Sequence, residues 1–365
     1  MTDAFPGLMP ASQAAAVLAQ TVDRSKYAVD PKTGLRPAMP NLTIAQRKER
    51  IDNAMALRLP DFIDIPESIR GKNAIIAGGG FSITRTLPDI RKRMRLSKQT
   101  NLIALNKTND WLRSKGLIPT IGVLADPRPW IADYMQPHKD QIYLFSSKLD
   151  PVIFDRFLSA GAKVYLWHPT ETADGFDERA YMLAKYPGRS LTLGTGFSTV
   201  GLRTVEIISL KAPKVELHGF DGSYDRDADV LYPYAKPNSF CGNDAIDRND
   251  NTIKCGGYSF RFISNTMMKR QVTEWVDMVM KFCDDVAKGK RQDFKLTVAG
   301  MGAIPWMAWK SGQHADPAMM AKLHGTAKDI DWRPLSSREV SRGSGLGLSF
   351  EPISLTDVFR DTPSV

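Results

Sequence analysis

Asn73-Ala74-Ile75-Ile76-Ala77-Gly78-Gly79-Gly80-Phe81-Ser82 decides how this chain reads. Small and β-branched apolar residues run straight into three glycines. A run this short reads as a strand buried on both faces rather than as a helix. Glycine lets the backbone turn tightly and lets a ligand approach the main chain. Ser82 is placed to cap a following helix, whose free N–H groups would face the same gap and attract a phosphate. The spacing is not G-x-G-x-x-G, because Ile83 breaks it, and no Lys-Ser or Lys-Thr completes a Walker A loop. A tight βα turn that holds nothing has the same appearance.

The same pattern recurs downstream. Asn101 to Asn106 reads as a second strand, and Thr108 to Lys115 as a helix ended by Gly116. Thr120 to Asp126 is a third strand, closed by Asp126-Pro127. Gln141 to Ser146 and Lys163 to Trp167 are the fourth and fifth, with a helix from Val152 to Ala160 between them. Leu191 to Thr199 holds a second glycine turn opening a helix to Leu210. Lys214 to Asp221 is another strand, and Lys295 to Ala303 enters a third glycine turn. Short strands alternating with helices predict an α/β, Rossmann-like fold, a mostly parallel sheet with helices on both faces. Ligands of such sheets sit at the carboxyl ends of the strands. Gly78, Gly79, Gly80, Ser82, Asn106, Asp126, His168, Gly194, Thr195, Gly196, Ser198 and Asp221 all fall at predicted strand ends. That convergence carries more than any single motif.

Each residue also has a structural reading. Asp126 and Asp221 suit turn caps, and His168 suits a general base or a structural histidine. His218, inside a predicted strand, reads as a core residue. Trp306 and Trp309 suit stacking or core packing. Arg91, Lys92, Arg93, Arg95 and Lys98 follow the first glycine turn, as a solvated helix face or a polyanion contact near the mouth of the site.

The remainder frames this domain. Residues 1–40 read as an arm, partly helical at 11–22, followed by an amphipathic helix from Asn41 to Leu57. The polar stretch 222–258, with Asp225, Asp227 and Asp229, reads as a long inserted loop, either functional or disordered. Met267 to Ala287 is an amphipathic helix, and residues 335–365 a tail without a core. The expected division is an N-terminal arm and helix at 1–70, a nucleotide-binding domain at 71–310 with an inserted loop at 222–258, and a C-terminal extension at 311–365. The chain of 365 residues has room for one large domain or two ordinary ones. No apolar run is long enough to span a bilayer, and no basic leader marks a signal peptide. Cys241, Cys255 and Cys283 show no CxxC spacing, which suits a reducing compartment. The formal net charge of +9 favours a polyanionic partner.

The order of these pieces resembles the MptE-like Rossmann family, which includes hydroxymethylpterin pyrophosphokinases and phage proteins. It is also similar to bacterial lipooligosaccharide sialyltransferases. The resemblance rests on Ile76 to Ser82, Ala104-Leu105-Asn106, Val123 to Pro127, Gly194 to Ser198, Leu217 to Asp221 and Thr297 to Pro305. It implies nucleotide binding by Gly79, Gly80, Ser82, Asn106 and the Gly194–Ser198 turn. It also implies magnesium held by carboxylates, for which Asp126 and Asp221 stand at strand ends. The sialyltransferases carry a histidine base after the strand matched by Leu217 to Asp221, and residues 222–258 contain no histidine.

The expectation is a transferase using a nucleotide or nucleotide-sugar donor, glycosyl or pyrophosphoryl, with Asp126, Asp221 or His168 in the chemistry and DNA or an anionic glycan as a polyanionic acceptor. A homo-oligomer in bacterial or phage-infected cytoplasm is the expected setting. The alternative is a binding or phage morphogenesis protein that keeps the fold without catalysis.

Overall fold

The computed structural model describes residues 42–173, 175–194, 197–224, 232–234, 249–255, 258–264 and 266–310. Residues 1–41, the C-terminal extension from residue 311, Thr195, Gly196, Asp225, Asp227 and Asp229 lie outside the described residues. The chain parts into two compact units interleaved in sequence. The first takes Met1–Gly78 and Ile90–Val215, the second Gly79–Asp89 and Glu216–Val365.

In the first unit, helix α1 (Ile44–Ala56) starts where Thr43 accepts the Gln46 N–H and the Gln46 side chain accepts the Thr43 N–H. That reciprocal pair satisfies two donors the helix end would otherwise leave open. Six parallel strands follow: β1 (Asn73–Ala77), β2 (Thr100–Leu105), β3 (Ile121–Leu124), β4 (Ile142–Ser146), β5 (Lys163–Pro169) and β6 (Leu193–Gly194). Their spatial order is their chain order, β1-β2-β3-β4-β5-β6. Consecutive residues of β1, β2 and β3 are buried, so both faces are covered, as the apolar runs require.

Helix α2 (Ile83–Leu96) begins in the second unit and ends in the first. It starts at Ile83, directly after Ser82, and runs through Pro88, which removes one backbone donor. Because strand order follows chain order, right-handed crossovers place α3 (Thr108–Ser114) and α4 (Pro151–Ser159) on one face. Helix α5 (Glu178–Lys185) precedes β6, and α6 (Val200–Ile208) packs against β1, β3 and β6. Tyr143 and Phe145 of β4 meet Phe157 of α4 edge-on, at centroid distances of 4.7 and 4.9 Å. Such pairs add about 0.5–1.5 kcal/mol each beyond their burial. Ile51 and Met55 of α1 close the same core.

The second unit receives strand β7 (Lys214–His218) at Glu216, next to β10 (Lys295–Ala299). Helix α8 (Ala303–Lys310) contacts β10 and helix α7 (Thr266–Ala287). Trp275, Met278, Ile304 and Trp306 are buried. Part of the expected loop at 222–258 is strand: β8 (Asn249–Cys255) pairs antiparallel with β9 (Tyr258–Ser264). The Gly256-Gly257 dipeptide between them is a hairpin signal that the polar composition of β8 masks.

Candidate functional site

The second unit holds the first glycine turn, and there the expected phosphate slot is already filled. The Ser82 N–H donates to Asp221 Oδ2 at 2.8 Å, and Ser82 Oγ donates to Asp221 Oδ1 at 2.5 Å. Ser82 is 1% exposed and Asp221 5%. Ser82 therefore does not cap α2 with its hydroxyl. It recruits a carboxylate to the start of the helix, where the peptide dipoles favour negative charge.

The glycines around this pair are explained by close packing. A Cβ on Gly80 would stand 2.5 Å from Asp221 Cγ and 2.8 Å from the Gly219 carbonyl oxygen, which accepts the Gly80 N–H. Gly302, at φ +133°, would place a Cβ 2.5 Å from the Asp221 carbonyl oxygen. A Cβ on Gly79 would meet Tyr234 Oη at 2.8 Å, beneath the stacked rings of Tyr232 and Tyr234. The third glycine turn thus closes over Asp221 and Ser82.

The first unit carries the other strand ends. Gly78 closes β1. Asp126, after β3, is clasped by its neighbour: Arg128 Nε lies 2.8 and 2.9 Å from the two carboxylate oxygens, and Arg128 N–H donates at 3.0 Å. His168, at the end of β5, is 1% exposed, with Nε2 2.9 Å from Asp61 Oδ2. Asp61 also accepts the Thr192 N–H at 3.0 Å and the Thr192 hydroxyl. A general base must touch a substrate, so this enclosed histidine takes the structural reading. His218 likewise is buried, with Nε2 on Glu216 at 2.9 Å.

Asn106 is different. It follows β2 at φ +48°. Among the described residues the other positive-φ side-chain residue, Arg58 at +49°, ends α1, where its N–H reaches the Met55 carbonyl. Asn106 instead stands just before Lys107, the N-cap of α3, where its carbonyl accepts the Asn109 N–H, and its buried Oδ1 has no partner. A strained residue with an unsatisfied acceptor at a strand end is a mark of a binding site.

Gly194, at the end of β6, accepts from Thr170 N–H and Oγ at 2.9 and 2.8 Å. The nearest atom to a Cβ there would be 3.6 Å away, so neither packing nor a positive φ demands glycine. Ser198 is half-buried, and Thr199 caps α6 by accepting the Leu202 N–H.

Magnesium was implied at Asp126 and Asp221. Each carboxylate has both oxygens on protein donors, Arg128 in one case and Ser82 in the other, so this arrangement does not fit a cation site. Among the described residues no group of three or more His, Cys, Asp or Glu converges.

The strand ends also hold a cluster that motif reading passed over. Lys148, two residues beyond β4, is 5% exposed, with Nζ 3.0 Å from Glu178 Oε2 and 3.3 Å from Glu171 Oε1. Arg203 of α6 reaches the same Glu171 oxygen at 2.5 Å. Burial opposes ionisation of Glu171, but Lys148 and Arg203 outweigh it and hold the carboxyl at about 2. Tabulating charged residues just past each predicted strand would have found Lys148. A shallow depression lined by Asp110, Arg113, Ile118, Gln136 and His138 lies at the amino ends of β3 and β4 instead.

No known protein-family profile matches the chain, and no curated protein matches it. Among solved structures, the MAf glycosyltransferase of Magnetospirillum magneticum AMB-1 is similar at 15% identity and a TM-score of 0.39, over 58% of this chain. The matched part spans 30% of that protein. Among the described residues no helix is long and apolar enough to cross a membrane.

Proposed function

We propose that the protein is a transferase acting on a nucleotide-activated donor, glycosyl or pyrophosphoryl. The reading is carried by Asn106, whose left-handed backbone and unpartnered Oδ1 stand at the carboxyl end of β2. A ribose hydroxyl or a base amino group supplies the donor that this oxygen lacks. The donor phosphates belong with Gly194, which packing does not require to be glycine, and with the start of α6. The first glycine turn is left out, because Asp221 takes the N–H and hydroxyl of Ser82 and the Gly219 carbonyl takes the Gly80 N–H.

That occupied turn gives a binding protein without catalysis one observation in its favour. The two readings part on turnover. Calorimetry of the full chain against nucleoside mono- and diphosphates and nucleotide sugars, with and without magnesium, tests the proposal. Binding of one nucleotide class is expected, and release of free nucleotide from its sugar or pyrophosphoryl conjugate marks a transferase. Failure of every nucleotide to bind would sink both the donor and its chemistry.

A further inference from the structure

Lys148 follows β4, Glu171 follows β5, and Arg203 lies in α6. Their charged groups meet at the carboxyl ends of neighbouring strands, where an open parallel sheet takes its ligands. The two carboxylates on Lys148 are not equivalent. Glu178 opens α5, has a 1% exposed side chain, accepts the Glu171 N–H at 2.9 Å, and lies 3.8 Å from Arg47. It is built into the fold. Glu171 belongs to no helix or strand, and its side chain is 37% exposed. One of its oxygens covers both Lys148, 7% exposed in its side chain, and Arg203, at 11%.

We infer that Lys148 and Arg203 form a binding site for a phosphate group, held closed by the Glu171 carboxylate until phosphate displaces it. An arginine fork beside a lysine point charge is a pairing suited to phosphate oxygens. Arg203 is further fixed by Nε on the Phe197 carbonyl, so it is set in place before any ligand arrives. Turning Glu171 outward removes the one carboxylate that Lys148 and Arg203 share. Protonation does not release Glu171 near neutrality, so the incoming anion exchanges for it. The identity of that phosphate as the donor's rests on the transferase reading, whereas the site rests on its own geometry.

Titration calorimetry with inorganic pyrophosphate tests this on the full chain. Glu171→Gln removes the competing charge and should tighten pyrophosphate binding at least about tenfold over the wild type. Adding Arg203→Gln should abolish the gain. Thermal melts establish that each variant is folded. Should Glu171→Gln fail to fold, Glu171→Asp withdraws the carboxylate by one methylene and is expected to tighten binding as well. A folded Glu171 variant that binds no more tightly than the wild type overturns the inference, as does a gain that survives Arg203→Gln. Pyrophosphate carries neither base nor sugar, so failure here leaves nucleotide binding through Asn106 standing, and the converse holds.

Discussion

Asp61 is 2% exposed and accepts from four donors: Ile63 N–H, Thr192 N–H, Thr192 Oγ and His168 Nε2. Asp61→Ala strands the buried His168 and Thr192 together, at an expected cost of about 3 kcal/mol or more in denaturant unfolding. A loss below about 1 kcal/mol would return His168 to the list of catalytic candidates. Glu171 gives a prediction in acid. Its folded value of about 2 lies below the ordinary 4.5, so its stabilisation is fully present above 4.5 and disappears as pH falls towards 2. Melting temperature should therefore drop through that window, and Glu171→Gln should flatten part of the drop. An unchanged profile would mean that Lys148 and Arg203 do not hold the carboxylate. The sequence showed Asn106 and His168 equally as strand-end residues. Only the fold separates them, by giving one a partner 107 positions away and leaving the oxygen of the other without one.

At the scale of elements, the glycine turns divide into two kinds. Gly80→Ala forces a Cβ against Asp221 and the Gly219 carbonyl, and should destabilise the protein by about 1–3 kcal/mol whether or not a nucleotide binds. Gly194→Ala meets nothing closer than 3.6 Å and should leave the melting temperature within about a degree or two, while weakening nucleotide binding. Equal destabilisation by both substitutions would contradict the distinction. The parallel strands were legible because each is a short apolar run with both faces buried. The carboxylate on Ser82 was not, since Asp221 lies 139 residues away and local spacing carries no trace of the pairing. Strand β8 was missed because Asn249, Asp250, Asn251 and Lys254 give it the composition of a loop.

At the scale of the molecule, the net charge of +9 predicts weak, salt-sensitive association with DNA. Replacing Arg91, Arg93 and Arg95 with Ser should lower both the affinity and the slope of its salt dependence. An isotherm that is flat at low salt would remove the polyanion. This run does not lie where the sequence reading put it. Arg91 donates to the Lys115 carbonyl, in the segment entering β3, so the basic face is at the amino ends of the first unit's strands. A helix that follows a strand runs back along it, which carries residues late in the helix to the opposite edge.

The alternation of strands and helices predicted the parallel α/β architecture, because that pattern depends on burial along each element. The candidate site depends on which side chains meet, and Lys148 with Glu171 and Arg203 is visible only once the strands are side by side. The most direct measurement of the donor reading is nucleotide affinity of Asn106→Gly beside its melting temperature. Glycine relieves the left-handed backbone and removes the unpartnered oxygen. The expected result is a melting temperature that holds or rises, with affinity reduced about tenfold. Undiminished affinity in the folded variant would contradict the assignment of Asn106 to the donor.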